Sequence, residues 1–156
     1  MISNSKSLTI LIVDDDHGHC ELVRRNLRRA GISNMVVTVH DGDQALDFVF
    51  RRGAHAGRAS DSELLILLDI NMPGGLSGLD VLGIIKADPA SKRIPVIMLT
   101  TTDDPRDINR SYDLGCSVYI TKPVEPSQFI EAISRLGLLI SVMAVPAEAG
   151  DVKADD

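Results

Sequence analysis

Five short apolar runs constrain the fold of this chain more than any other feature. They are LTILIV at 8–13, MVVTV at 35–39, LLILL at 64–68, IPVIML at 94–99 and SVYI at 117–120. Most of these runs are continuous rather than alternating, which is typical of strands buried on both faces of a parallel sheet. Segments with helical spacing of apolar residues lie between them, so strand and helix alternate along the chain.

This alternation predicts one α/β domain, in which a doubly wound parallel sheet of five strands carries helices on both faces. In such sheets the ligand binds outside the carboxyl ends of the strands. The residues that directly follow the strands should therefore converge on one edge. They are Asp14 and Asp15 after the first run, Asp69 after the third, Thr100 and Thr101 after the fourth, and Lys122 after the fifth.

The acidic members of this set point to a metal site. Carboxylates that crowd together are stabilised either by protonation of one of them or by a bound cation, and three aspartates favour the cation. Asp14, Asp15 and Asp69 offer hard oxygen ligands, and no Cys or His stands at ligand spacing beside them. Such a set favours Mg²⁺, with Mn²⁺ as a substitute, over zinc.

The same residues are suited to phosphoryl transfer. A strand-end carboxylate can act as a nucleophile and form an aspartyl phosphate. The reaction then requires alignment and donors for the developing charge, which Lys122 and the hydroxyl of Thr100 can supply. Taken singly, each residue has an ordinary interpretation, because a strand-end Asp usually caps the next helix and a lone Lys is usually solvated. The joint pattern favours the functional interpretation.

Four blocks of sequence carry a family resemblance. VDD at 13–15, LLDINMPG at 67–74, MLTT at 98–101 and YITKP at 119–123 resemble the signature blocks of the receiver domain of two-component response regulators. The resemblance extends over about residues 8–137. It implies a flavodoxin-like sheet with strand order 2-1-3-4-5 and five helices.

The resemblance also implies a role for each site residue. Asp69 would be the phosphoacceptor, Asp14 and Asp15 would belong to the metal site with Asp69, and Asn71 would add a metal ligand through its backbone carbonyl. Thr100 and Lys122 would contact the phosphoryl oxygens, and Tyr119 would be the aromatic switch that turns inward when Thr100 is drawn toward the phosphate. The Lys122–Pro123 peptide bond is often cis in the family.

As a receiver the protein would catalyse only its own phosphorylation and dephosphorylation. Its signal would be a shift between two packings of the fourth helix, the fifth strand and the fifth helix, roughly residues 104–137. No effector domain follows them in the sequence, so the output is expected to pass through protein contact or onward phosphoryl transfer.

Other features are similar to a narrower group, the stand-alone response regulators that serve cyanobacterial and bacterial phytochrome kinases. These features are the long polar loop at 51–63, the block DPASKRIPVIMLTTT at 88–102 and an apolar extension after the last helix. They imply a phytochrome-type sensor histidine kinase as the partner. One departure is Ser77 in the run GGLSG, where many receivers have an acid, and it leaves the capping of the third helix open.

Two alternative functions remain open. Asp14 and Asp16 have the DxD spacing of haloacid-dehalogenase-type phosphatases, but that interpretation leaves Asp69 without a role and finds His17 where a hydroxyl residue is usual. We favour Asp16 as the N-cap of the helix that starts near His17. The other alternative is a pseudo-receiver that binds partners without phosphorylation, although the acids and Lys122 that such proteins usually lack are all present.

The overall composition narrows the class of partner and compartment. A net charge of −6 and a pI near 5.1 argue against nucleic acid as the main ligand. No apolar run approaches the roughly 20 residues of a membrane span, and no signal segment is seen, so we expect a cytoplasmic protein that does not bind a membrane. The histidines are predicted to be surface residues; they are His17, His19, His40 and His55.

The predicted organisation has four parts. They are a flexible N-terminus at 1–7, the receiver domain at 8–137, an apolar extension at 138–146 and a disordered tail at 147–156. The stretch LGLLISVMAVP at 136–146 is unusually apolar for a chain end. We expect it to bury a two-fold homodimer interface together with the fourth helix, the fifth strand and the fifth helix. The alternative is that it folds back on its own subunit.

Overall fold

The structure is a computed structural model that describes residues 8–58 and 63–136. Its strands are β1 (Leu8–Val13), β2 (Val36–Val39), β3 (Glu63–Leu68), β4 (Val96–Thr100) and β5 (Val118–Thr121). Its α-helices are α1 (His17–Arg29), α2 (Gly42–Phe50), α3 (Gly78–Ala87), α4 (Pro105–Leu114) and α5 (Pro126–Arg135). All five predicted strands are therefore present within two residues of their predicted bounds.

The sheet is parallel throughout and has the strand order β2-β1-β3-β4-β5. This confirms the predicted fold class and topology. The central pair is in register from Leu8 opposite Glu63 to Val13 opposite Leu68. Because the two strands end at the same level, the residues that follow them are neighbours at the carboxyl edge.

The central strands are buried on both faces, as their continuous apolar runs predict. In β1 the side chains of Leu8, Ile10 and Ile12 belong to one core, with α1 and α5, whereas Leu11 and Val13 belong to the core on the other face. That alternation follows from the two-residue period of a strand. Helices therefore cover both faces of the sheet, and loops lie at the two ends of its strands.

The start of α3 is well capped despite its departure from the family pattern. The Ser77 hydroxyl accepts a hydrogen bond from the Asp80 backbone N–H at 3.2 Å, and the Asp80 carboxylate accepts one from the Ser77 N–H at 3.0 Å. This reciprocal pair is a capping box. The capping that the sequence left open is thus supplied by Ser77 itself.

The segment predicted to be a long polar loop, at 51–63, has regular structure in its first part. A 3-10 helix spans Gly53–His55, and the guanidinium of Arg58 donates hydrogen bonds to the carbonyls of Phe48 and Val49 at 2.9 and 3.0 Å. Both carbonyls lie in the last turn of α2, where few helical N–H donors remain to bond them. Polar composition indicated a loop because the Arg58 contacts cannot be read from sequence.

Several predicted segments lie outside the described residues. They are the N-terminus at 1–7, part of the loop at 59–62, the apolar extension at 138–146 and the tail at 147–156. Among the residues that the structure describes, the helices are all too short or too polar to cross a membrane.

Candidate functional site

Three carboxylates meet at the carboxyl edge of the sheet. Asp14 follows β1 and Asp69 follows β3, and both residues are buried, with 3% and 7% of their surfaces exposed. Asp15 stands beside them and is exposed. One carboxylate oxygen from each of the three lies within 4.8 Å of the others. The three acids therefore lie close together at this edge, as the sequence predicted.

Lys122 supplies the counter-charge for the two buried acids. Its ammonium donates hydrogen bonds to Asp14 Oδ2 at 2.6 Å and to Asp69 Oδ2 at 3.2 Å, and its side chain is only 8% exposed. Burial by itself lowers the pKa of Lys122, but the hydrogen bond to Asp14 and the charge of Asp69 outweigh it and leave the pKa above its ordinary value. The group is an ammonium ion at neutral pH.

One ammonium does not balance the acids around it. The cluster of Asp14, Asp15 and Asp69 carries three carboxylates. Among the described residues, the cation in contact with Asp14 and Asp69 is Lys122. The remaining oxygens are hard ligands that converge, with Asp15 on the solvent side. Such oxygens fit a hard divalent cation, for example Mg²⁺ or Mn²⁺.

The loop after β3 is held against the site by Asn71. Its backbone N–H donates a long hydrogen bond to Asp69 Oδ1 at 3.3 Å, and its side-chain amide donates to Thr102 Oγ1 at 2.9 Å. The first bond orients the carboxylate of Asp69, and the second links this loop to the one that follows β4. The role of the Asn71 carbonyl as a metal ligand stays a prediction.

The two predicted switch residues meet at one backbone segment. Thr100 ends β4 and is fully buried, and its hydroxyl accepts a 3.5 Å hydrogen bond from the Thr102 N–H. The Tyr119 hydroxyl donates to the Thr102 carbonyl at 2.6 Å. Burial, reinforced by the charges of Asp107 and Asp103, raises the pKa of Tyr119 to about 12. The phenol is therefore a neutral donor to this loop.

Asp16 lies outside the group of acids that share the site. Its carboxylate accepts a hydrogen bond from the His19 N–H at 3.1 Å, which caps α1 and lowers the pKa of Asp16. Its own N–H donates to Asp14 Oδ1 at 2.9 Å. The prediction that Asp16 is an N-cap is confirmed. A phosphatase would require this carboxylate as a general acid facing the nucleophile, whereas here it is directed to the start of α1.

Two histidines contact the site, although the sequence suggested only surface positions for them. His40 Nδ1 lies 2.9 Å from the Asp14 carbonyl and donates to it, and the His40 ring stacks on His17 with centroids 3.8 Å apart. His19 Nδ1 lies 3.2 Å from Lys122 Nζ. The sequence could have indicated the contact of His19, because this residue lies in the first turn of the helix that begins directly after Asp14, Asp15 and Asp16.

The peptide bond between Lys122 and Pro123 is cis, as the resemblance implied. The backbone N–H of Lys122 donates to the Thr100 carbonyl at 2.8 Å. This bond continues the pairing of β4 with β5 for one residue beyond Thr121. The main chain of Lys122 is thereby fixed to the sheet edge from which its side chain reaches the acids.

Comparison with known proteins gives a consistent group of relatives. The response regulator receiver domain family matches residues 10–134. The response regulator Rcp1 of Synechocystis sp. is 37% identical over 113 residues, which cover 72% of this chain and 75% of Rcp1. A solved structure of Rcp1 in its Mn²⁺-bound form is similar with a TM-score of 0.66 at 29% identity, covering 95% of this chain and 99% of that one.

Two further solved structures are phytochrome-associated by name. The bacteriophytochrome response regulator RtBRR has a TM-score of 0.74 and 41% identity, covering 83% of this chain and 77% of its own. The phosphorylated cyanobacterial phytochrome response regulator RcpA has a TM-score of 0.70 and 34% identity, covering 89% of this chain and 96% of its own.

Proposed function

Because the chain belongs to the response regulator receiver domain family, we propose that it accepts a phosphoryl group on Asp69 from a phosphorylated histidine of a sensor kinase. Receiver domains are phosphorylated by histidine kinases, typically on an aspartate. The observation that carries the assignment to Asp69 is its contact with Lys122 at 3.2 Å at the end of a buried central strand. Asp14 shares the burial and the Lys122 contact at the end of β1, so the choice between the two acids rests on the place of Asp69 in the block LLDINMPG at 67–74, which resembles the acceptor block of receiver domains.

The transfer is a simple displacement at phosphorus. An oxygen of the Asp69 carboxylate forms the new P–O bond while the P–N bond to the kinase histidine breaks, and the departing nitrogen keeps the electron pair and later takes a proton. Catalysis of such a step rests on alignment and on stabilisation of charge on the phosphoryl oxygens. The proposed donors are the Lys122 ammonium, which lies 3.2 Å from Asp69 Oδ2, and the hydroxyl of Thr100, which ends β4.

Mg²⁺ is the proposed metal, with Mn²⁺ as a substitute. Asp14, Asp15 and Asp69 would hold it, and the carbonyl of Asn71 would add a neutral oxygen. When bound, the ion supplies positive charge that offsets the acids and the incoming phosphoryl group. Support comes from the convergence of the three carboxylates within 4.8 Å and from the Mn²⁺-bound form of the related Rcp1.

Output is proposed to follow from a rearrangement of α4, β5 and α5. A phosphoryl group on Asp69 would draw the Thr100 hydroxyl and the Lys122 ammonium toward its oxygens. Thr100 and Tyr119 both form hydrogen bonds with Thr102, so movement of Thr100 would disturb the Tyr119 hydrogen bond as well. The chemistry would be confined to the protein's own phosphorylation and dephosphorylation.

The kinase is proposed to be of the phytochrome type, acting in the cytoplasm. This rests on the names of the relatives RtBRR and RcpA and on the shared features of sequence. The second proposed partner is another copy of this chain, which would form a homodimer through α4, β5, α5 and the apolar extension. The charge of −6 supports neither nucleic acid nor an anionic membrane as a ligand.

The decisive experiment for the acceptor is intact-mass measurement. The protein is incubated with Mg²⁺ and acetyl phosphate, and we expect the mass of one phosphoryl group to be added to the wild type and not to Asp69→Asn. Asp113→Asn, which changes an exposed aspartate on α4, is the matched control and should be phosphorylated like the wild type. Phosphorylation of Asp69→Asn at the wild-type rate would remove Asp69 from the proposal.

The same experiment separates the two alternative functions. A pseudo-receiver would remain unmodified in every condition, including with a purified phytochrome-type kinase and ATP. A phosphatase would release phosphate from esters in a reaction that survives Asp69→Asn and is lost in Asp14→Asn. Omission of Mg²⁺ with EDTA should abolish the modification of the wild type if the acids require a divalent cation.

A further inference from the structure

The Lys122 ammonium has three hydrogen-bond donors, and the structure provides an acceptor for each. Asp14 Oδ2 lies at 2.6 Å, Asp69 Oδ2 at 3.2 Å and His19 Nδ1 at 3.2 Å. An ammonium has no lone pair, so His19 Nδ1 must be the acceptor in the third contact. The contact thus uses the Nδ1 lone pair of the ring and leaves Nε2 free of this interaction.

The position of His19 is fixed by the helix that carries it. His19 lies in the first turn of α1, and its backbone N–H is bonded to the Asp16 cap at 3.1 Å. Its side chain is 43% exposed, and its Nδ1 lies 3.8 Å from Asp14 Oδ2 and from Asp16 Oδ2, beyond hydrogen-bond distance. The polar contact of Nδ1 at hydrogen-bond distance is therefore the one with Lys122.

We propose that His19 is a positioning residue for phosphoryl transfer, whose Nδ1 accepts the third hydrogen bond of the Lys122 ammonium and fixes that group between Asp14 and Asp69. The inference rests on the proposed function, because it assigns His19 to the reaction of the Asp69 site. The polar contacts of the His19 ring among the described residues are with Lys122, Asp14 and Asp16, and not with Asp69. It acts through Lys122.

The physical reason for such a residue is the flexibility of lysine. The ammonium sits on a flexible four-carbon stem, and two carboxylates alone leave its third donor to solvent. Of its three acceptors, Asp69 is the one that phosphorylation would modify, while His19 and Asp14 would remain as acceptors. Unlike a third carboxylate, an imidazole nitrogen orients the ammonium without adding a negative charge to an acidic site. We expect its loss to slow phosphorylation about threefold to tenfold, a modest effect because water can replace an acceptor that is partly exposed.

Two variants separate positioning from a structural role. His19→Leu keeps much of the side-chain volume without an acceptor, whereas His19→Asn places an amide oxygen near the position of Nδ1. His55→Asn is the matched control. His55 lies in the 3-10 helix after α2, where its ring packs edge-on against Phe48 at 4.9 Å rather than against Lys122. Each variant is incubated with acetyl phosphate and Mg²⁺, and the rates of gain and loss of the phosphoryl group are followed by intact mass.

The expected result is slow phosphorylation of His19→Leu and a rate close to wild type for His19→Asn and His55→Asn. A wild-type rate for His19→Leu, or an equal loss in His19→Leu and His19→Asn, would overturn the inference. An unmodified wild type would instead count against the proposed function.

Nuclear magnetic resonance of the Lys122 ammonium tests the hydrogen bond without any phosphoryl transfer. Its signal is assigned by its absence from Lys122→Arg. We expect the ammonium protons to exchange with water slowly in the wild type and in His19→Asn, and several-fold faster in His19→Leu. Equal exchange in all three would overturn the inference whatever the phosphorylation rates are.

Discussion

Among single residues, Lys122 has the largest effect on the electrostatics of the site. Its ammonium is the partner of two buried carboxylates, and a buried charge without its partner is far more costly than the pair is stabilising. Asp14 and Asp69 come from adjacent strands, so their mutual repulsion acts directly on the packing of the central pair β1 and β3. Lys122 therefore contributes to stability as well as to chemistry.

Replacement of Lys122 by methionine tests this balance. In EDTA we expect Lys122→Met to lower the free energy of unfolding by about 3–5 kcal/mol, since two buried carboxylates lose their cation. Added Mg²⁺ should restore more stability to the variant than it adds to the wild type, because it then neutralises a larger uncompensated charge. Urea unfolding followed by circular dichroism measures both quantities.

Lys92→Met is the control for that experiment. Lys92 is exposed, so its loss should change neither the free energy of unfolding nor the response to Mg²⁺ by more than about 0.5 kcal/mol. An identical response of Lys122→Met and the wild type to Mg²⁺ would contradict the assignment of Lys122 as the counter-charge.

The titration of Tyr119 provides a pH prediction. The chain has two tyrosines, so Tyr112→Phe leaves Tyr119 as the sole phenol, and its ultraviolet absorbance should report ionisation near pH 12 rather than near 10. The folded state favours the protonated phenol, so its stabilising contribution is present below pH 10 and is lost as pH rises toward 12. A titration midpoint of Tyr119 near pH 10 in the folded protein would contradict the conclusion that its hydroxyl is buried and donates a hydrogen bond.

Among the elements, the start of α3 fixes the loop that follows β3. The Gly78 N–H donates to the Ile70 carbonyl at 2.8 Å, and a Cβ at Gly78 would collide with the Asp69 carbonyl oxygen and come within 2.7 Å of Ile70 Cα. The helix can therefore approach the backbone of the proposed acceptor only through a glycine. Ser77 caps the same turn, so local capping and close packing act together on the position of Asp69.

Two glycines near the start of α3 provide the test: Gly78 is its first residue and Gly75 lies three residues before it. Gly78→Ala should destabilise the protein by about 1–3 kcal/mol and slow phosphorylation, because backbone must move to admit the methyl group. Gly75→Ala should leave both unchanged, since a Cβ there meets nothing within 4 Å. Urea unfolding and the acetyl phosphate reaction provide the measurements, and equal behaviour of the two variants would show that the approach of α3 is not constrained.

For the molecule as a whole, the two apolar cores are separated by the sheet, and the cluster of Asp14, Asp15 and Asp69 lies at its carboxyl edge. The sequence also contains the apolar stretch LGLLISVMAVP at 136–146, of which the structure describes only Leu136. Leu136 itself packs against the core formed by α1 and α5. An apolar stretch of this length in a chain of charge −6 is expected to be covered by protein.

Truncation after Gly137 tests the proposed dimer. We expect sedimentation to give a dimer for the full chain and a monomer for the truncated chain, because the extension supplies much of the apolar area of the interface. A truncated chain that stays dimeric would remove the extension from the interface. A full chain that is monomeric at high concentration would favour the alternative, in which the extension folds back on its own subunit.

Much of the fold and part of the site could be predicted without coordinates. Continuous apolar runs predict buried parallel strands because both faces must exclude water, and the ends of those strands then select Asp14, Asp69, Thr100 and Lys122. The N-cap role of Asp16 was predictable for a similar reason, because capping depends only on the residues of one turn. Such inferences succeed where the physical cause is local or periodic.

The sequence by itself therefore determined the strands, their topology through the family resemblance, and the residues at the carboxyl edge. Only the tertiary structure decided which atoms meet there. Lys122 reaches Asp14 across 108 residues of sequence and His19 across 103, and β5 is not adjacent to β1 in the sheet. Such contacts depend on how the helices set the spacing of strand ends and on where one flexible side chain finds its acceptors, neither of which leaves a periodic pattern in the chain.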